Sequence, residues 1–396
     1  MGKKRSKKRA VAAESVDEAL LSGAADAALP KVDSLEHVPA FDDLRVDDAQ
    51  RQAFDAFSVR FAEDAGAEAA SFVRLGFVAR LDRGFPLVVT ETDTFRAEHA
   101  VGFAKKGRSA DGAARVLPAV GDVVAVRCDP SHDMGVIEAV MPRRTAFERW
   151  RGKNRGERQV LAANVDVIFI VQPLGADRDT PALMRDRIAR SLVLARDCGA
   201  EPVVVLTKVD RCSEDEVTEV VGDMQRLAGA SVRVIATSSR EGLGLDEVRA
   251  CVPHGTCAMI LGESGAGKST LLNTLLGVEA LETNDVRERD DAGRHTTVAR
   301  IMVALPEPCG VIADCPGLRS LPLVGHDRGL ARSFPEIVEA SHACRFNDCT
   351  HVHEPGCAVR EGVEAGDIEQ IRLDAFLALA TEMRVSAQSL DPDIHV

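Results

Sequence analysis

The sequence predicts a multidomain protein. A small β-barrel or sandwich comes first, then a doubly wound α/β domain on a parallel sheet, then a short cysteine-bearing, partly helical C-terminal segment. Three observations predict it. Between Phe72 and Pro142, short β-type segments alternate with Gly, Asp and Pro. Between Val165 and Asp314, near-continuous apolar runs alternate with helical patterns. Between Cys344 and Cys357, cysteines cluster with two histidines.

The chain has 396 residues, room for about two or three domains. Hydrophobic residues make up 45%, enough for real cores, but aromatics are 4% with one Trp and no Tyr, so the cores must be rich in Leu, Val and Ala. Forty-nine basic and 62 acidic residues leave a net charge of -13, which argues against a general nucleic-acid coat. The charge is uneven. "MGKKRSKKRA" carries Lys3, Lys4, Arg5, Lys7, Lys8 and Arg9, and an acidic, Ala-rich run follows to about Glu68. The start is either a solubilising tail or a basic arm for phosphate backbones. Residues 1–45 have little periodic apolar content and are expected to be mobile. No apolar run reaches the ~18 residues of a membrane span. No apolar block follows the basic start, so no secretory signal is expected. Scattered single cysteines fit a reducing cytoplasm better than disulfides.

Taken in order, Phe54, Phe57 and Phe61 at helical spacing predict a helix over 47–64. "SFVRLGFVARL", "PLVVTET", "GDVVAVRC" and "DMGVIEAVMP" read as barrel strands, with Gly121–Asp122 as a tight turn. Residues 143–166 are basic and read as a linker into a new domain. "VDVIFIVQP" is a buried parallel strand. A helix follows around Pro181–Asp197, with Leu183, Ile188, Leu192 and Ala195 on one face. "PVVVLTKVD", "VRVIATSSREGLG", "TCAMILGESGAGKSTLLNTLLG" and "CGVIADCPGL" continue the alternation. Beyond about Leu330 come loops, the cysteine cluster and a helical stretch around Ile368–Met383.

Ligands of such sheets sit at the carboxyl ends of the strands, and four motifs fall there. "GESGAGKST" fits the phosphate-loop pattern G-x-x-x-x-G-K-[ST], between an apolar strand and a helix. Backbone N–H groups of Gly262, Glu263, Ser264, Gly265, Ala266, Gly267, Lys268, Ser269 and Thr270 would cradle phosphates at a helix N-terminus. Lys268 would reach the β- and γ-phosphates, and Ser269 would ligate Mg²⁺. Asp314 suits the Mg²⁺ carboxylate, and Gly317 could give its N–H to the γ-phosphate. In "TKVD", Thr207–Val209 lead to Asp210, whose carboxylate can accept from N1–H and the 2-amino group of guanine. Adenine would leave it unpaired, so the site should select guanine. The stem of Lys208 would cover the ring, and Ser238 and Ser239 of "TSS" could offer backbone N–H to guanine O6.

The base motif precedes the phosphate loop, the reverse of the usual guanine-nucleotide order. A parallel sheet tolerates this, because joining the old ends and opening one surface loop leaves the site intact. The order describes a circularly permuted GTPase. At the C-terminus, C-x₄-C-x-H-x₅-C supplies Cys344, Cys349, His351 and Cys357 for a closed tetrahedral Zn²⁺ site, with His353 a rival ligand by proximity.

On TKVD, GESGAGKST, "GRHTT" (Gly293–Thr297), DCPG and "CRFNDCTHVHEPGC", the chain resembles the ribosome small-subunit-dependent GTPase A family over roughly residues 72–390. The resemblance implies an OB-like β-barrel, a circularly permuted P-loop GTPase domain and a small zinc-binding domain, with His351 as the fourth ligand. The corresponding division is a flexible extension over 1–70, the barrel over 71–142, the GTPase domain over 143–333 and the zinc domain over 334–396. It implies a cytoplasmic, monomeric enzyme that hydrolyses GTP with Mg²⁺, stimulated by the small ribosomal subunit and its rRNA. Thr207 stands where Asn is usual, and Val298 where the family has a third Thr, so Thr296 and Thr297 both remain candidates for the Mg²⁺ shell. Leu318 stands where many GTPases carry a water-positioning Gln, so unaided turnover should be slow and His295 is the candidate replacement. Two other readings use the same residues: an ATP-dependent kinase, and an RNA-binding protein with a nucleotide switch not tied to ribosome assembly.

Overall fold

The computed structural model describes residues 37–82, 85–100, 116–151, 157–175, 180–277, 300–315, 323 and 325–390. Strands β1 (Val73–Asp82), β2 (Phe85–Thr90), β3 (Thr94–His99), β4 (Val123–Arg127) and β5 (Gly135–Val140) build the barrel. β1 pairs with both β2 and β4, and β3 runs parallel to β5, so the order β1–β2–β3–β5–β4 closes on itself. That is the five-stranded Greek-key closure of an OB-like barrel. Its interior holds Val78, Val88, Ala97, Val124, Val126 and Ile137. The alternate residues of β4, Val123 and Ala125, face outward and are covered by Phe54, Phe57 and Phe61. These lie on helix α1 (Asp48–Ala65), so the expected helix is present and its phenylalanines are packing residues.

The second half is a sheet ordered β10–β9–β8–β11–β13–β12, from β8 (Val167–Pro173), β9 (Glu201–Thr207), β10 (Arg233–Ala236), β11 (Cys257–Leu261), β12 (Arg300–Ala304) and β13 (Val311–Asp314). β8 to β11, β13 and β10 run parallel, as the apolar runs predict. Both faces of the central strands β8, β9 and β11 are buried. Ile168, Ile170, Val204, Leu206 and Met259 pack towards helices α3 (Pro181–Cys198) and α4 (Glu214–Ala228). Val167, Phe169, Val171, Val203 and Ile260 pack towards α6 (Lys268–Leu276), which follows the short α5 (Leu245–Ala250). Here α2 is the short helix Ala67–Ser71. Among the described residues no helix is long and apolar enough to cross a membrane.

Four features depart from the sequence reading. The basic stretch 143–166 is not a bare linker: β6 (Ala146–Arg151) and β7 (Glu157–Ala163) form an antiparallel hairpin. β3, written Thr-Phe-Arg-Ala-Glu-His, is a strand that its polar residues hid. β12 is antiparallel and joins the two halves, pairing with β13 on one side and with β1 at Arg80↔Ile301 on the other. The extension expected over 1–70 is ordered from His37, with Phe41 packed on Phe77 and Gln50 buried; residues 1–36, the basic arm included, lie outside the described residues.

A buried polar cluster explains how the halves are held. Gly121 sits at φ 85 with Ala163 O 2.2 Å from where a Cβ would be, so no side chain fits that turn. Asp122 beside it is fully buried, accepting from Ala119 N and, twice, from Arg143. Asn164, at φ 57, donates to Gly121 O (2.8 Å) and accepts from Gln50 Nε2 (3.1 Å) and Arg144 N (2.9 Å). Arg144 in turn binds Asp166, which accepts from Cys257 N at the start of β11 (2.9 Å).

The C-terminal part consists of α7 (Asp327–Ser333), α8 (Pro335–Ser341), α9 (Ala358–Ala365) and α10 (Gln370–Leu390). Phe334, Ile337, Val359, Leu373, Leu379 and Met383 belong to the same apolar cluster as Ile188, Leu192 and Met224, so the core is continuous across the expected boundary at 333.

Replacing Asn164 by Ala should strand three partners and place Ala at a left-handed position. Loss of about 2–4 kcal/mol in urea unfolding is expected. A loss within the ~0.5 kcal/mol of an ordinary surface change would show that Asn164 does not hold the halves.

Candidate functional site

The parallel register brings the motifs to one edge. Thr207, the last residue of β9, pairs with Pro173, while Leu261, the last of β11, pairs with Ile170. After Thr207 the chain turns sharply: Lys208 is left-handed at φ 62 and Val209–Arg211 forms a 3₁₀ turn. After Leu261 the glycine loop runs into α6. Gly262, at φ 157, has Val171 O only 2.5 Å from an ideal Cβ position, so the loop leaves the sheet against the neighbouring strand.

The two motifs bond directly. Thr207 Oγ1 donates to Ala266 O at 2.8 Å, and Lys208 Nζ donates to Gly265 O at 2.7 Å. The Lys208 stem thus lies along the phosphate loop, and burial followed by the Arg211 charge lowers its ammonium pKa. Asp210 accepts from Ser238 Oγ at 2.8 Å, which fixes one carboxylate oxygen and aims the group. The Ser238 backbone N–H is committed to Leu243 O, so Ser238 contributes through its hydroxyl and Ser239 is left as the backbone candidate. Lys268 Nζ lies inside the loop, donating to Gly262 O (2.7 Å) and Glu263 O (2.6 Å). Ser269 and Thr270 follow on the first turn of α6, with Ser264 between Glu263 and Gly265 in the loop. Asp314 ends β13 one strand away from β11.

Cys315, next to it, is fully buried, its thiol pushed up to about 12 by burial and then by Asp314, as suits an inert filler. His295, Thr296, Thr297, Gly317 and Leu318 lie outside the described residues. One partner of the loop was not legible in the sequence: the Glu263 carboxylate pairs with Arg187 of α3 at 2.8 Å.

The second cluster is at the C-terminal side. Cys344, Cys349, His351 and Cys357 offer donor atoms that all lie within 4.8 Å of one another. His351 Nδ1 is 3.6 Å from Cys344 Sγ and 3.5 Å from Cys357 Sγ, and the two sulfurs are 4.0 Å apart. A tetrahedral Zn²⁺ with Zn–S near 2.3 Å and Zn–N near 2.05 Å places its ligands about 3.5–3.8 Å apart, so the donor set fits that ion. The cluster contains His351 and not His353. Burial opposes thiolate formation at Cys344, but hydrogen bonds from the Val359 and Ala358 N–H groups and from the Cys349 and Cys357 thiols together outweigh it and the thiol is lowered. Burial first, then the neighbouring thiols, push the Cys349 thiol up. His351 is lowered by burial, which favours the neutral, ligating imidazole.

Glu354 organises the knuckle, a role the sequence did not suggest. It accepts from the Thr350 hydroxyl and from the backbone N–H groups of Thr350, Val352 and His353, and the Thr350 hydroxyl bond leads in holding it well below the usual carboxylate range.

Residues 140–324 match the family model described as RsgA GTPase. A Streptomyces coelicolor protein named small ribosomal subunit biogenesis GTPase RsgA is 40% identical over 307 residues, 78% of this chain and 80% of that one. A Lactiplantibacillus plantarum protein named small ribosomal subunit biogenesis GTPase RsgA 2 is 41% identical over 269 residues, 67% and 72% of the two chains. Among solved structures, YjeQ from Thermotoga maritima superposes with a TM-score of 0.59 at 24% identity, covering 79% of this chain and 99% of its own. YloQ, described as a circularly permuted GTPase, gives 0.54 at 21%, covering 79% and 96%. These two likenesses support the fold.

Gly262→Ala would drive a methyl into Val171 O. It should cost about 1–3 kcal/mol and displace the loop. A thermal melt and nucleotide retention equal to wild type would show that the loop leaves the sheet differently.

Proposed function

Because the chain belongs to the RsgA GTPase family, we propose that it hydrolyses GTP to GDP and phosphate as a checkpoint on the small ribosomal subunit during its late maturation. The observation that carries the guanine reading is the bonded pair of motifs: Thr207 and Lys208 hold the phosphate loop while Ser238 aims Asp210. This geometry supports the reading, because it ties the Asp210 segment to the glycine loop, an arrangement that an ATP-dependent kinase does not need. The subunit is proposed from the names of the relatives.

In this reading Asp210 accepts from guanine, with Val209 and Ser239 lining the base. The loop 262–270 holds the phosphates and Lys268 offsets their charge. Ser269, Asp314 and Thr296 or Thr297 would hold Mg²⁺, whose chemistry when bound is to offset phosphate charge. Gly317 is the proposed γ-phosphate contact. Leu318 carries no polar group, so His295 is the proposed water-positioning residue and basal turnover is slow. Cys344, Cys349, His351 and Cys357 would hold one structural Zn²⁺, whose part is to fix the fold of the knuckle. The functional division follows the expected boundaries: barrel 71–142, GTPase 143–333, zinc domain 334–396. The barrel and zinc domain meet rRNA, and the protein works as a cytoplasmic monomer.

Two experiments test this. GTP hydrolysis is measured with and without purified small subunits; stimulation of about tenfold or more is expected, by comparison with the 10³–10⁵ that trans-acting groups supply elsewhere. Wild-type protein should release bound GDP to GTP and not to ATP, while Asp210→Asn should weaken GTP and accept xanthine nucleotides. Equal competition by ATP, or no response to subunits, would overturn the corresponding half of the proposal. Separately, metal analysis should find about one Zn²⁺ per chain, and Cys349→Ser should lose it and lower subunit-stimulated turnover more than basal turnover.

A further inference from the structure

Helix α3 touches both functional clusters' surroundings through charged contacts. Near its N-terminal end, Arg187 pairs with Glu263 of the phosphate loop (2.8 Å), with Arg187 22% exposed. One turn on, Arg190 pairs with Glu382 of α10. At its last turn, Asp197 Oδ2 meets His326 Nδ1 at 2.8 Å, Asp197 Oδ1 accepts from Gly329 N at 3.1 Å, and Arg328 donates to Asp197 O at 2.6 Å. Between these ends the helix is clamped by Ile188, Ala189, Leu192, Val193 and Ala195, all buried. A helix so packed moves as a rod, because close-packed interiors transmit displacement instead of absorbing it.

The loop-side contact has a clear electrostatic role. Glu263 places a carboxylate on a loop that must hold a polyphosphate, and unneutralised it would repel the ligand. Glu263 is 57% exposed, so water screens part of that charge, and Arg187 offsets more of it while α3 stands where it does. At the far end, burial raises the Asp197 carboxyl, but His326 and Arg328 outweigh it, so the anchor stays ionised.

We propose that α3 is the link by which the phosphate loop and the C-terminal helices sense each other, with Arg187 and Asp197 as its two positioning residues; this rests on the GTPase reading above. The two lie ten residues apart, about 15 Å along the helix. Independent sites at that distance act additively. A mechanical link makes them non-additive.

The test is fluorescent GDP and GTP-analogue titration of the full chain as wild type, Arg187→Gln, Asp197→Asn and the double variant. Arg187→Gln is expected to weaken binding by about fivefold or more, and Glu263→Gln in the same chain should restore it to within about twofold, which a merely structural role of Arg187 would not allow. Asp197→Asn should change affinity by about threefold in the wild-type background and by much less in the Arg187→Gln background. His326→Gln, which breaks the same anchor from the other side, should reproduce the pattern if Asp197→Asn folds poorly, as judged by its melt. An Asp197→Asn effect that is absent, or identical in both backgrounds, overturns the link. Failure of the wild type itself to bind guanine nucleotide overturns the GTPase reading instead, and the wild-type titration alone tells the two apart.

Discussion

A hydrogen bond from Thr207 Oγ1 to Ala266 O joins two motifs 59 residues apart in the chain. It depends on β9, β8 and β11 being parallel and adjacent, so that their carboxyl ends finish at one edge. Chain order is irrelevant to this condition; strand order is not. That is why the base motif can precede the phosphate loop without loss. The same bond sets a limit on the base site. A threonine hydroxyl has one proton, and here it goes to the loop carbonyl, whereas an asparagine amide has two donors and can serve both loop and base. In the proposed function base reading would therefore fall mainly on Asp210, whose carboxylate Ser238 holds by a hydrogen bond.

The phosphate edge must also be held steady against the barrel. β12 does this through the backbone, by pairing with β13 and β1, and makes one eleven-stranded sheet of the two halves. Side chains do it a second time through Asn164, Arg144 and Asp166. Asp166 accepts from Cys257 N at the first residue of β11, the strand that ends in the phosphate loop. Barrel, hairpin and nucleotide edge thus share one polar cluster, and the buried Asp122 and Asn164 are tolerated there because both are hydrogen-bonded.

Much of this was legible. The parallel strands declare themselves as Val- and Ile-rich runs because both of their faces are buried, and the phosphate loop and Cys/His spacing carry their chemistry in residue type. What was missed follows from physics that periodicity does not record. β3 is half-exposed and keeps Arg96, Glu98 and His99, so it lacks an apolar signature. The β6–β7 hairpin has the basic composition of a linker, although Phe147 and Leu161 are fully buried. Glu354 and Arg187 act through contacts that form only after the chain folds: one gathers three backbone N–H groups of its own knuckle, the other reaches a loop far along the sequence. No local pattern marks either.

The permutation also decides what sits beside the nucleotide edge. Opening the chain elsewhere leaves Asp314 near the end of the nucleotide core, and among the described residues beyond it α7 packs back against α3, while α10 packs against both α3 and α4. Arg372 of α10 shows how firmly. It is 7% exposed, donates to Glu336 and to the carbonyls of Leu227 and Ser333, and its guanidinium lies 4.9 Å from the Phe334 ring centre. A buried charge of this kind adds little net stability, because desolvation offsets most of the attraction. Its value is directional: a five-donor fork is satisfied in one arrangement of α4, α8 and α10 and in no slipped one. The short cysteine-bearing segment, too small to build a core alone, is thereby set in one register against the helices that flank the nucleotide site. In this chain a change at that site has a rigid body to act on.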